Sequence, residues 1–203
     1  MSHRIFVLSP ASLGGMRGRA ILGGRSSAPF MRTLRGEGAP LVEVYAFISS
    51  LYFRGKLAYA TRFQRPPSGL DGTWVITPTR GLVRADLRVT IADLEEFASG
   101  SIREDDARYR EGLRGTAAGV AAGLGDDGDV VLLGSIASSR YLEPLAEVFG
   151  GRLVVPETFT GRGDMSRGGL LLRCVDAGEE LVYVAALDAV RHGARPERLQ
   201  PRR

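Results

Sequence analysis

Residues 161–169, Gly-Arg-Gly-Asp-Met-Ser-Arg-Gly-Gly, set two guanidiniums, a carboxylate and a hydroxyl among glycines directly after the apolar run Leu153-Val154-Val155-Pro156. If a helix opens at Ser166, backbone amides together with Arg162 and Arg167 face one anion, which predicts a phosphate site with Asp164 beside it as a candidate acid, base or hydroxyl acceptor. The plainer reading is a surface loop whose Ser166 caps the helix. The spacing matches neither the phosphate-binding loop of nucleotide hydrolases nor a dinucleotide fingerprint. The Arg-Gly-Asp tripeptide at 162–164 would need an extracellular setting to bind integrins, and nothing in the sequence supports secretion.

Three further segments carry groups of the same kind. Thr77-Pro78-Thr79-Arg80-Gly81-Leu82-Val83 stops a strand on a stiff turn, and Gly81 would let backbone approach a ligand. Thr77, Thr79 and Arg80 are its candidate ligand groups, and Asp86 just beyond is the first choice of general base or sugar-hydroxyl acceptor. Ser9 to Arg19 is a glycine-rich loop after the first strand, the usual place for phosphate contact in open sheets, with Ser9, Arg17 and Arg19 as ligand groups. Gly134-Ser135 ends another apolar run, with Ser138, Ser139, Arg140 and Tyr141 opening the next helix. The aromatics Tyr45, Phe47, Tyr52, Phe53, Tyr59 and Phe63 could stack on bases, but at these spacings most read as core. Cys174 sits in an apolar run and reads as an inert thiol.

Something must hold these groups at one edge. Apolar runs that stop on small, proline or glycine turns alternate with helical patterns, which predicts an α/β fold: a three-layer sandwich on a mostly parallel sheet of about five strands. The strands are placed at 4–8, 41–47, 73–77, 129–133 and 152–155. Residues 9–25 read as loop. Helices are placed from Ser26 or Ser27 to Arg35, from Ser49 or Ser50 to Phe63, from Thr90 to Ala98, from Asp106 to about Leu124, and from Ser139 to Phe149. Gly115, Gly119 and Gly123 form a stripe read as close packing on the sheet. Residues 164–187 read as helix then strand, with a hairpin across Asp176-Ala177-Gly178-Glu179 as the alternative. One domain is expected over 1–190, with a basic tail at 191–203.

The 203 residues are 44% hydrophobic and 25% charged, as in an ordinary globular domain. No apolar run is long enough to span a bilayer, so no membrane partner is expected. The first residues show no signal-peptide pattern, and one cysteine excludes an internal disulfide; a cytoplasmic setting is expected. Two histidines, His3 and His192, both near the ends, disfavour a histidine metal site or a Ser-His-Asp triad. No metal or other cofactor is called for. The net charge is +4, and Lys56 is the single lysine, so nearly all positive charge is arginine. Genomic base composition accounts for that bias; the functional alternative is contact with phosphate or nucleic acid. Both ends are basic and the middle is acidic around Asp93, Glu95, Glu96 and residues 104–106, so a polyanion or an acidic protein surface is a plausible partner.

The segment Val75-Ile76-Thr77-Pro78-Thr79-Arg80-Gly81-Leu82-Val83 resembles the strand, Ser/Thr-Pro, Gly-Leu-Val segment of uracil-DNA-glycosylase-like domains, including those attached to tRNA-guanine transglycosylase relatives. The order of elements over residues 4–173 is similar too, from Ser9-Pro10 through Gly134-Ser135 to Tyr141-Leu142-Glu143-Pro144-Leu145. The resemblance implies the fold and a nucleic-acid or nucleobase context. Active members carry a water-activating polar residue in the first loop and a histidine after a late strand. Neither histidine here takes that place, so uracil excision is not implied. The expectation is a nucleotide or nucleic-acid domain with an arginine-lined phosphate site at the carboxyl edge. The alternatives are a non-catalytic partner in a larger complex and an enzyme acting on a phosphorylated small molecule.

Overall fold

The computed structural model describes residues 2–49, 51–197 and 199. A six-stranded sheet is formed by β1 (His3–Leu8), β3 (Thr73–Thr77), β4 (Gly81–Arg84), β6 (Gly128–Leu133), β7 (Leu153–Pro156) and β8 (Tyr183–Ala185). Its order is β4-β3-β1-β6-β7-β8, with β2 (Ala39–Pro40) and β5 (Arg88–Val89) paired separately. The four inner strands are parallel and the two outer strands antiparallel to their neighbours. The fold is α/β with a mostly parallel sheet. From β1 the chain crosses to β3 on one side and later to β6 on the other. The strand order therefore reverses between β1 and β6, and such a switch point leaves a crevice at the carboxyl ends.

Alternation along the inner strands divides the apolar side chains. Phe6, Leu8, Val75, Val131 and Leu133 join a core with α3 (Leu41–Ser49), α4 (Leu51–Phe63), α5 (Ile91–Ser99) and α8 (Asp164–Ala177). Ile5, Val7, Ile76, Val130 and Leu132 join a second core with α6 (Ala107–Leu124) and α7 (Ser139–Phe149). Burial on both sides is why these strands read as continuous apolar runs. Local signals set several helix ends. Thr90 and Asp93 form a reciprocal capping box, and Asp106 accepts from the amide of Tyr109 at 3.1 Å. Gly178, at φ +70°, closes α8, so residues 164–187 are helix then strand.

The structure corrects several expectations. Residues 41–47 are helix rather than strand: buried Leu41, Val44 and Tyr45 follow helical spacing, directly after Pro40. Ser49 ends α3 instead of capping α4, and Ser50 lies outside the described residues. The loop 9–25 contains α1 (Met16–Leu22), and the helix expected to Arg35 shrinks to α2 (Met31–Leu34). The cap of α7 is Ser138, not Ser139. A sixth sheet strand, β4, arises because Thr77–Gly81 is a hairpin turn. The glycine stripe of α6 does not pack on the sheet: a Cβ at Gly115 or Gly119 would meet nothing within 4 Å. Of the basic tail, Arg198, Arg202 and Arg203 lie outside the described residues. No helix among the described residues is long and apolar enough to cross a membrane.

Candidate functional site

The crevice is a cleft of about 810 Å³ at the carboxyl edge. Ser9 follows β1, Pro78 follows β3, Ser135 follows β6 and Asp164 opens α8 after β7, and all four line it. Arg17 and Arg19 of α1, Arg140 and Tyr141 of α7, and Tyr45 and Tyr52 from α3 and α4 complete the polar lining. Three guanidiniums thus face the cleft against one carboxylate, Asp164.

Each arginine is held differently. Arg17 donates to the carbonyl of Phe47 at 2.9 Å and lies over its ring. Arg140 lies over the ring of Tyr141, 4.8 Å from its centroid, and its buried Nε has no acceptor. Its backbone is fixed by a compensation for Pro144. Proline lacks the N–H that would bond the carbonyl four residues back, and Tyr109 Oη donates to that Arg140 oxygen instead, at 3.1 Å. The hydroxyl of Tyr45 is also buried without a partner, and that of Tyr52 is buried beside Arg167. Burial holds both phenols above their ordinary pKa, so they are neutral donors.

Behind Ser9 stands Lys56 of α4, which is 1% exposed. Its Nζ donates to the Ser9 carbonyl oxygen at 2.5 Å and lies 2.9 Å from Ser9 Oγ. Ser9 Oγ can also donate to the Leu133 carbonyl at 3.3 Å. The rings of Tyr52 and Phe53 lie 4.6 and 4.8 Å from Nζ. Burial lowers the Lys56 pKa to about 7, with Asp164 opposing and Arg167 reinforcing that shift. The lysine is sealed by a close helix crossing. A Cβ on Gly55 would stand 2.7 Å from the Gly168 carbonyl oxygen of α8.

Of the residues singled out in the sequence, the cleft gathers Ser9, Arg17, Arg19, Ser135, Arg140, Tyr141 and Asp164. The others serve elsewhere. Thr77 is fully buried and its hydroxyl donates to the Gly81 carbonyl. Gly81, at φ +62°, makes room for α6 rather than a ligand: a Cβ would meet Thr116 Oγ1 at 2.3 Å. Arg80 is bound by Asp93 and Glu96, and Thr79 also donates to Glu96. Asp86 is an exposed partner of Arg84. Gly134 packs on Ser9, where a Cβ would lie 3.1 Å from Ser9 Cβ. Arg162 donates to Thr158 O and Ser166 Oγ, facing a smaller pocket with Arg173 and Arg195. Arg167, 8% exposed, donates from two nitrogens to the Phe159 carbonyl. The expected helix start at Ser166 falls instead at Asp164.

Lys56 was not chosen from the sequence as a site group, and Tyr45 and Tyr52 belong to an aromatic set read mostly as core. The signal for Lys56 was present: one lysine in a chain that otherwise uses arginine, on a helix rich in aromatics. No family model, curated protein or solved structure matches the chain.

Proposed function

We propose that the cleft binds a nucleotide, free or within a nucleic acid. The observation that carries this reading is the charge balance of the lining: Arg17, Arg19 and Arg140 against Asp164 alone. Arginine forks suit phosphate, and a cleft of about 810 Å³ suits a nucleotide-sized ligand. The Tyr45 and Tyr52 hydroxyls and Arg140 Nε supply hydrogen-bonding groups for a base or sugar. The resemblance to uracil-DNA-glycosylase-like domains supports the same context. We further infer three layers, with α6 and α7 on one side of the sheet and α3, α4 and α8 on the other, because alternate strand residues enter separate cores.

The test is calorimetry with nucleoside monophosphates, nucleobases, inorganic phosphate and short DNA and RNA at low and high salt. Binding of a phosphorylated nucleoside that weakens with salt and is lost in Arg140→Ala supports the reading. Silence toward every probe at low salt removes it, and the chain is then better read as a protein-binding module.

A further inference from the structure

The cleft wall carries more than a binding surface. A lysine kept only as a structural cation is normally paired with a carboxylate or leaves its head in water. Lys56 does neither. It is 1% exposed, its polar contacts are the carbonyl and hydroxyl of one serine, and that serine lines the cleft. A protonated ammonium has three donors, and this site offers it two acceptors. A neutral amine fits better. As a neutral amine it still donates one N–H to Ser9 O, and Nζ stands 2.9 Å from Ser9 Oγ, within reach of the hydroxyl proton. The Tyr52 and Phe53 rings stabilise the ammonium once a proton has been taken up. Asp164 and Arg167, both on α8, act on the amine in opposite directions, and no other charge shifts it comparably.

We propose that Ser9 is a nucleophile, Lys56 its general base, and the cleft a hydrolytic site for a carboxylic ester or amide. This goes beyond the nucleotide reading and rests on it only for the anionic part of the substrate that the arginines hold. In the first step Ser9 Oγ bonds to the carbonyl carbon and its proton passes to Lys56 Nζ. Arg140, which lines the same cleft as Ser9, is the donor for the developing oxyanion. The bond from the carbonyl carbon to the leaving oxygen or nitrogen breaks, and Lys56 returns the proton to the leaving atom. In the second step water gives its proton to Lys56 and its hydroxyl to the acyl carbon. The carboxylic acid departs and Lys56 reprotonates Ser9.

The experiment is covalent labelling of the intact protein with an alkyl fluorophosphonate, followed by mass spectrometry and peptide mapping. Oγ attacks phosphorus, fluoride leaves, and Lys56 takes the proton. One adduct on Ser9 is expected, absent from Ser9→Ala. The labelling rate should rise about tenfold between pH 6 and pH 8, as a base titrating near pH 7 deprotonates. Lys56→Met should label at least about a hundredfold more slowly, while Arg84→Ala, an exposed partner of Asp86 that does not line the cleft, should label like the parent chain. No adduct on Ser9, or a rate flat across that pH range, overturns the proposal; so does normal labelling of a folded Lys56→Met. If Lys56→Met does not fold, the pH profile of the parent chain decides alone. Nucleotide binding measured on Ser9→Ala separates the two ideas. Binding without labelling of the parent chain sinks only the hydrolytic step, and labelling without binding sinks only the nucleotide.

Discussion

Lys56 and Arg80 are both basic side chains resting on aromatic rings, and the molecule treats them in opposite ways. Arg80 is 36% exposed, held by Asp93 and Glu96, and lies 5.1 Å from the Phe97 ring centroid. Glu96 and Asp93 raise its pKa; the Arg80 guanidinium lowers that of Glu96, and the Thr90 amide, with Arg80 behind it, lowers that of Asp93, so all three stay charged. Lys56 is buried, touches one serine, and is pushed down to about 7. A compensated charge fixes a turn. An uncompensated buried one costs stability and is left able to exchange a proton near neutral pH. The contrast teaches which of the two basic regions holds a sealed, uncompensated amine. It is not the one whose motif stands out in the sequence.

The sharpest break in that contrast is at the helix crossing that seals Lys56. Gly55→Val should destabilise the fold by about 3 kcal/mol or more, because backbone of α8 occupies the space its side chain needs. Urea unfolding measures the loss. Hydrogen exchange should show faster opening of α4 and α8 while the Arg80 turn keeps its protection. An unchanged midpoint would mean that the crossing is looser than described.

Titration separates the two cations next. With a single lysine, protein labelled with nitrogen-15 at lysine Nζ gives one side-chain signal. Its midpoint should fall near pH 7 instead of 10.5. The unfolded chain then binds a proton that the folded chain does not between those values, so stability gains from Lys56 as pH rises from about 7 to about 10.5. Below about 7 the burial penalty is fully present. The Arg80 cluster also gains stability as pH rises, but in the acid range rather than above neutrality. Asp93 and Glu96 have lowered pKa values, so their contribution is present at neutral pH and is lost as pH falls through the folded-state values. A lysine midpoint near 10 would erase the distinction.

Ligand binding divides the arginines on the same lines. Arg140→Ala should weaken a bound nucleotide about tenfold or more, the worth of one charge-assisted hydrogen bond, read by calorimetry. Arg162→Ala and Arg80→Ala should leave the affinity within about twofold, since their guanidiniums are engaged elsewhere. The smallest effect is on stability: Arg80→Ala should cost less than about 1 kcal/mol, because an exposed ion pair is screened by solvent. A larger loss in either measurement would move Arg80 back into the functional surface.

Much of the frame was legible. The runs Phe6-Val7-Leu8, Val75-Ile76 and Val130-Val131-Leu132-Leu133 could only be strands buried on both sides, and their ends defined the edge where Ser9, Ser135 and Asp164 now stand. Residues 41–47 misled because Val42, Val44, Tyr45 and Phe47 are good strand formers, and packing against α4 overrode that preference. Thr77–Gly81 misled differently. Its proline and glycine mark a turn, but a turn that faces a ligand and one that closes a hairpin have the same composition.

Local pattern therefore determined the alternation of strands and helices, the carboxyl edge and the arginine excess, because periodicity and turn chemistry act within a few residues. Compensation of charge was decided only in three dimensions. Arg80 meets Glu96 16 residues away, Lys56 meets Ser9 47 residues away, and Gly55 meets Gly168 across a helix crossing. Whether a charged side chain is neutralised, solvated or sealed in depends on which distant segments pack beside it, and spacing along the chain carries no record of that.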